Sequence, residues 1–422
     1  MLDIKFVREN LKLVQKSSQD KGVDVDISHI LEIDREFQKL SSEVQKLREE
    51  RNKLAKERNI EAGKELKNKL DKEEQALRAV EEELKLNLLK IPNIPLSHLP
   101  IGNEAANKVI KKVGKPKKFD FLVKDHLEIG ERLDIIDTTR ASKVSGTRFA
   151  YLKNEGALLE LALLQFTFEK LVKKGFIPTF PPALIRQEIT NGLGYWQAGG
   201  NENYYLVTDY EEMEVSGNHK VNPLYLIGTA EHAIVPMHKD EVFSKSDLPK
   251  RYVGFSSSFR REAGSYGKDT RGILRVHQFD KIEMVAFVKS EDDETERRKL
   301  LEIAESFMAD LGLPYQVVQL ATGDISFPSA ETIDIETWIP SQGKYRETHS
   351  IATTTDFQAR RLNIKYQDGT ENKYVHILNG TAFAIGRTIV AILENYQQAD
   401  GSVEVPKILQ KYIGKSVIKV NK

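Results

Sequence analysis

Two long apolar stripes near the start of this chain leave little choice of architecture there. Ile30, Ile33, Phe37, Leu40, Val44, Leu47 and Leu54 step by threes and fours, with Arg51 as the one gap. Leu66, Leu70, Leu77, Val80, Leu84, Leu88 and Ile91 keep the same beat. Such a seam lines one face of a helix and packs against a second seam like it. The polar break from Asn59 to Gly63 separates the two, with Gly63 as the expected helix terminator. Each helix spans about 45 Å at roughly 1.5 Å per residue, and so short a break predicts an antiparallel hairpin. Two helices cannot enclose a globular core, so the pair is expected to project as an arm.

Lys+Arg and Asp+Glu are both 63 in 422 residues, so overall charge gives no argument for nucleic acid; only local patches can. The tip of the arm is such a patch. Between Arg51 and Lys72, eight bases, among them Arg51, Lys53, Lys56, Arg58, Lys64 and Lys67, stand against four acids. A solvated coiled-coil face is commonly this charged; the alternative is an arm that grips phosphates with its end. Cysteine is absent, which excludes disulfides, thiolate nucleophiles and cysteine-ligated zinc. No signal-like apolar run opens the chain and no stretch is long enough to span a bilayer, so a soluble cytoplasmic protein without membrane contact is expected.

Pro92 and Pro95 stop the second helix, and six lysines without an acid follow between Asn107 and Lys118. The expected division is a helical arm over 1–104 and a second domain over 105–422. That domain opens with an amphipathic helix over 158–174. Gly175-Phe-Ile-Pro-Thr-Phe-Pro-Pro182 is then an extended segment whose prolines confine it to a sheet edge or a subunit contact. Strands are expected at 224–228, 252–259, 282–288, 315–320, 333–339, 345–352 and 375–378, and a helix at 300–311. Asn379-Gly380-Thr381 is expected to turn into a helix from Ala382 to Tyr396, with Arg387 in its second turn. Without a βαβ rhythm, this is an α+β domain on an antiparallel β-sheet. Lys407, Lys411, Lys415, Lys419 and Lys422 form a basic tail with no acid nearby in sequence.

The stretch from Phe259 to Val288 carries the chemistry. Two strand-like runs flank a loop in which Arg260, Arg261, Lys268, Arg271 and Arg275 crowd around Gly264, Gly267 and Gly272. Planar guanidinium forks suit polyphosphate, because each grips two oxygens at once. Gly267-Lys268 lacks the spacing of a P-loop, and no Gly-x-Gly-x-x-Gly opens a helix, so a nucleotide here would sit on an antiparallel sheet. With period two, Phe279, Lys281, Glu283, Val285 and Phe287 share a face, which brings an aromatic plate and a carboxylate into one cleft.

Gly175-Phe followed by Pro181-Pro182, the Phe259-Arg-Arg-Glu262 hairpin, and Asn379-Gly-Thr with Gly386-Arg387 resemble motifs 1, 2 and 3 of class II aminoacyl-tRNA synthetases. Thr229-Ala230-Glu231, Val276-His-Gln-Phe-Asp-Lys-Ile-Glu283, Asp356-Phe-Gln-Ala-Arg-Arg361 and the two-helix arm narrow the resemblance to the seryl-tRNA synthetase family, over nearly the whole chain. It implies a class II catalytic domain behind an antiparallel coiled-coil arm. It also implies that L-serine and ATP give seryl-adenylate, whose seryl group passes to the 3′ end of serine tRNA, and of selenocysteine tRNA where one is present. Arg260, Glu347 and Arg387 are the implied catalytic residues. Arg260, Arg261, Glu262, Phe279, Glu347, Ser350 and Arg387 are the implied ATP site, with Mg2+ on Glu347 and Ser350; no zinc is expected. Thr229, Ala230, Glu231, Glu283, Asn379 and Thr381 are the implied serine pocket. In this pocket Asn379 either supports Thr381 or caps the turn. The resemblance further implies a homodimer whose arm reaches the long variable arm of the tRNA.

Four positions depart from the family pattern: His349 and Thr381, where serine is usual, and Thr353-Thr354, where Asn-Cys is usual. In a regular strand Glu347 and His349 share a face and Ser350 points away, so a metal role for Ser350 requires a bulge or twist. Two rival readings are an amino acid–carrier-protein ligase, whose relatives lack the arm, and an RNA-binding coiled-coil protein with a decayed site.

Overall fold

The computed structural model describes residues 1–57, 60–196, 200–208, 223–263, 269 and 271–420. They divide into two compact units, Met1–Ile94 and Pro95–Lys422.

The first unit is helical: α1 (Ile4–Glu9), α2 (Leu11–Asp20), α3 (Ile27–Lys56) and α4 (Ile60–Leu88). Asp26 starts α3 by accepting from the backbone of His29 at 3.0 Å, which satisfies one of the donors a helix start leaves free. Val44, Leu47 and Leu70 meet between α3 and α4, flanked by Leu66 and Leu77, and Arg48 of α3 reaches Glu74 of α4 at 2.9 Å. Near the other end of α3, Arg8 grips the buried Asp34 with two bonds of 2.6 and 2.7 Å. The antiparallel hairpin is therefore present, but Gly63 does not end a helix. It lies in the first turn of α4, and the break falls between Lys56 and Ile60. A helical glycine costs about 1 kcal/mol relative to alanine, which the long apolar seam beyond it offsets. Arg51, Lys53, Lys56, Lys64 and Lys67 are exposed; Arg58 lies outside the described residues.

The second unit begins earlier than the lysine run suggests. Leu96 donates to Ala330 at 2.9 Å, and Leu99 packs with Val318, Leu320 and Ile325. Among the described residues its main sheet has eight strands: β1 (Lys108–Val113), β2 (Ile177–Thr179), β3 (Lys250–Phe259), β4 (Gln278–Val288), β5 (Tyr315–Gln319), β6 (Glu331–Ile339), β7 (Lys344–Thr353) and β8 (His376–Ala384). Their order is β1-β5-β6-β7-β8-β4-β3-β2. Neighbours are antiparallel throughout, except that β2 lies parallel to β3 at the edge. That edge place is the one its prolines allow, since proline cannot donate to a ladder.

Three helices, α5 (Asn154–Val172), α6 (Asp293–Leu311) and α7 (Ile385–Asn395), cover one face of the sheet. Leu159, Phe166, Phe307 and Ile389 interdigitate there with Ile282, Met284, Ala286 and Phe383. The alternate residues of β4, Val285 and Phe287, join Tyr252, Ile227, Ile234 and Ile377 on the opposite face. Glu283, Lys281 and Phe279 continue that second face toward open space, so one strand is core at one end and cleft at the other.

Two expectations are corrected. Asn379-Gly380-Thr381 is not a turn: Gly380 pairs with Met284 on one side and Ile351 on the other. A strand laddered on both edges overrides the local Asn-Gly turn signal. The helix therefore starts at Ile385, and Arg387 lies in its first turn. Two of the C-terminal lysines do have acids near them. Lys411 is 3.4 Å from Glu169 and Lys415 pairs with Glu155, both on α5; the partners are distant only in sequence. Lys422 lies outside the described residues.

Candidate active site

Two β-bulges shape the cleft. Between β4 and β8 the register jumps so that Glu283 faces Thr381 while Ile282 faces Phe383, leaving Ala382 as the extra residue. Between β6 and β7 His349 faces Ile335 and Glu347 faces Glu336, leaving Thr348 extra. Bulges re-aim side chains and are common beside active sites. The second is the irregularity that Ser350 required: Glu347 and Ser350 both line one cavity of about 1140 Å3. His349 is buried on the other side, packed edge-on against Phe383 at 5.5 Å.

The same cavity is lined by Arg260, Glu262, Phe279, Glu283, Thr229, Glu231, Asn379, Thr381 and Arg387. Two expected members are missing from its wall. Arg261 is exposed, and Ala230 is buried beneath the backbone of Gly254, where a Cβ on that glycine would come within 3.0 Å of its own.

One end of the cleft is a buried polar pocket. Glu283 and Glu231 are almost fully buried, at 1% and 2% exposure. Lys281 lies 2.5 Å from Glu283 and donates to the hydroxyl of Thr229 at 3.2 Å. Thr381 donates to Glu283 at 3.4 Å. Burial drives the Glu231 carboxyl up to about 7, and Glu283 adds to this, while Gln358, Lys281 and Tyr195 oppose it. Glu283 is likewise raised by burial against the pull of Lys281. Burial, with Arg260 and Lys281 beside it, holds His232 neutral. The side-chain amide nitrogen of Asn379 is buried without a hydrogen-bond partner. Such a pocket can take a small ligand that offers both an ammonium and a hydroxyl group.

The other end is cationic. The Arg260 guanidinium lies 5.3 Å from the centre of the Phe279 ring and donates to Gly228 at 3.2 Å. Gly228 permits this approach: a Cβ there would stand 2.9 Å from Tyr204 and 3.4 Å from Arg260. Arg387 is 3.1 Å from the Glu347 carboxylate. Burial opposes ionisation of Glu347, but Arg387 outweighs it and keeps this carboxyl below its usual range. Asp334, opposite Ser350 in the ladder, is buried, and burial and then Glu347 push its carboxyl well up. Glu262 adopts φ 53 at the hairpin and pairs with Arg275. A non-glycine residue in this region costs about 1 kcal/mol or more and tends to mark functional loops. Gly264, Gly267 and Lys268 lie outside the described residues.

Family profiles match both parts of the chain: the seryl-tRNA synthetase N-terminal domain over residues 1–95, and the tRNA synthetase class II core domain (G, H, P, S and T) over residues 213–396. The serine–tRNA ligase of Thermodesulfovibrio yellowstonii is 42% identical over 99% of this chain and 100% of its own. The chain belongs to the seryl-tRNA synthetase family. The serine–tRNA ligase of Caldicellulosiruptor saccharolyticus has the same identity and coverage. Among solved structures, the seryl-tRNA synthetase from Pyrococcus horikoshii complexed with ATP covers 100% of both chains with a TM-score of 0.90 and 36% identity.

Several residues of this synthetase shape the cleft without having been singled out as members of its site. Lys281 is a resident cation beside Glu283. Tyr195 and Gln358 bond to Glu231. Arg346 binds Asp269, with one bond of 2.9 Å. Lys281 was legible from its period-two place beside Glu283, and Gln358 stood inside the Asp356–Arg361 motif without a role; Tyr195 and Arg346 come from segments whose sequence spacing to the site carries no signal. Among the described residues no helix is long and apolar enough to cross a membrane.

Proposed function

We propose that this synthetase joins L-serine to ATP at the floor of the cleft and passes the seryl group to the 3′-terminal ribose of serine tRNA, and of selenocysteine tRNA where present. The observation that carries the reading is the meeting of Arg260, Phe279, Glu347, Arg387 and the Glu231–Glu283 pocket around one cavity. In the first step a serine carboxylate oxygen bonds to the α-phosphorus of ATP, the bond to the β-phosphate oxygen breaks, and pyrophosphate leaves. In the second, a ribose hydroxyl attacks the carbonyl carbon of the adenylate and AMP departs. The protein aligns the partners and neutralises developing charge.

Phe279 stacks on adenine, Arg260 holds the α-phosphate, Arg387 the far end of ATP, and Glu262 flanks the nucleotide, while Arg261 lies outside the cavity wall. Thr229, Glu231, Glu283, Asn379 and Thr381 receive serine, Ala230 supporting them from below. Glu347 and Ser350 fit a magnesium ion: the bulge at Thr348 turns both toward the cavity, and Oδ1 of Asp334 behind them is buried without a hydrogen-bond partner. A magnesium ion takes few protein ligands alongside phosphate oxygens and supplies positive charge between the phosphates.

The exposed bases Arg51, Lys53, Lys56, Lys64 and Lys67, with Arg58, meet the phosphates of the tRNA variable arm, a duplex read by shape. Residues 1–94 act as the RNA-binding arm and 95–422 as the catalytic domain, working in the cytoplasm. The enzyme is a homodimer. Exposed Leu158 and Leu161 of α5, Ile177 of β2 and the 70% exposed Phe180 form an apolar patch suited to a second copy.

The test is ATP–pyrophosphate exchange with each amino acid, followed by charging of purified tRNA with labelled serine. Exchange with serine alone, with charging lost on reversing the tip charges, is expected. Exchange that proceeds with another amino acid and fails with serine refutes the assignment.

A further inference from the structure

Glu231 is held from behind the cavity wall. Its Oε1 accepts from Nε2 of Gln358 at 2.9 Å, and both its oxygens lie 3.1 Å from the hydroxyl of Tyr195. Gln358 itself is fully buried, on the short helix Phe357–Leu362, and is absent from the cavity wall. Its Nε2 also donates to the carbonyl of Leu193 at 3.2 Å, and its Oε1 accepts from the hydroxyl of Thr354 at 3.2 Å. Two pure acceptors on one side settle which end of the amide is which: the NH2 group faces Glu231. Thr354 in turn bonds to the carbonyl of Ile377, on β8, so the amide is anchored to the main sheet.

We propose that Gln358 is a positioning residue for serine activation: its amide fixes the Glu231 carboxylate in the orientation that receives the substrate amino acid, without touching that substrate. This rests on the reading of Glu231 as part of the serine pocket. A carboxylate with one aromatic hydroxyl as its remaining neutral donor would be free to turn, whereas two donors from different segments leave one orientation. The surrounding charges make the amide matter more. Glu231 has Glu283 and Lys281 of β4 and the hydroxyl of Tyr195 as charged or titratable neighbours, and Tyr204 lies close enough to feel its charge. Burial and Glu283 favour the protonated acid, and Gln358 is the leading group opposing them. The site therefore depends on a residue that has no contact with the ligand.

The test compares Gln358→Met, which keeps the length and removes the donor, with Gln358→Glu and with Glu231→Gln in the full chain. In ATP–pyrophosphate exchange, Gln358→Met is expected to raise KM for serine roughly tenfold or more, the worth of a hydrogen bond to a charged group, with KM for ATP unchanged. The acid limb of kcat/KM for serine should move to higher pH, because Glu231 becomes harder to ionise. Gln358→Glu should raise KM for serine further, a second carboxyl replacing the donor. A lowered melting temperature with KM and pH profile unmoved in Gln358→Met overturns the proposal and leaves only a packing role. Glu231→Gln separates the two levels. If it leaves KM for serine unchanged, the pocket reading itself is wrong; if it raises KM while Gln358→Met does not, only the role of Gln358 is wrong.

Discussion

Replacing His349 by glutamine should make the fold less sensitive to acid. The imidazole is 1% exposed, sits beside the hydroxyl of Thr348 at 2.9 Å and packs on Phe383. Burial holds its protonation down, from the ordinary 6.5 to about 4. In the unfolded chain the ring takes up a proton once the pH falls below 6.5; in the folded chain it stays neutral until about 4. The unfolded state thus binds more protons across that window, and stability contributed by neutral His349 is full above it and lost as pH falls through it. Between 6.5 and about 4, at about 1.4 kcal/mol per unit, the loss is about 3 kcal/mol. Urea denaturation of the full chain across this range should show His349→Gln less stable at neutral pH, through lost packing, with the gap to wild type closing by about that amount on acidification. The Cε1 proton resonance of His349 should meanwhile titrate near its depressed value. Parallel stability curves for the two proteins, or a resonance titrating at the ordinary value, would refute the argument.

Arg260→Ala should slow adenylate formation by roughly a hundredfold or more, the usual cost of a lost transition-state charge partner, and leave tRNA retention on filters nearly intact; equal loss of both would mean the residue has another role. Gly228→Ala places a Cβ 2.9 Å from Tyr204 and 3.4 Å from Arg260, so serine-dependent pyrophosphate exchange should fall while circular dichroism stays unchanged. Gly63→Ala should raise the stability of the arm by about 1 kcal/mol, because the residue is helical and nothing lies within 4 Å of the added methyl. Its thermal unfolding should shift upward with tRNA charging unaltered, and a downward shift would show that the glycine is needed.

Patterns that repeat along the chain were readable without a structure. The three-and-four beat from Ile30 to Ile91 foretold the antiparallel hairpin, since a helix places every third or fourth residue on one stripe. The alternation Phe279, Lys281, Glu283 foretold a common face on β4, and Pro178 with Pro181-Pro182 left only a sheet edge or a subunit contact, of which the structure shows the edge. The local motifs, taken together, identified the family. What they did not reveal depends on neighbours far away in the chain. Ser350 joins Glu347 only through the extra residue at Thr348, set by the register of β7 against β6. Asn379-Gly380 carries a turn signal and becomes a strand interior because β4 and β7 claim its backbone groups on both edges. Lys415 finds Glu155, and Gln358 finds Glu231, across stretches that no window spans. Backbone periodicity is a short-range property written in consecutive side chains. Register, ion pairing and the anchoring of a buried carboxylate are long-range, and they exist only once the sheet has closed around them.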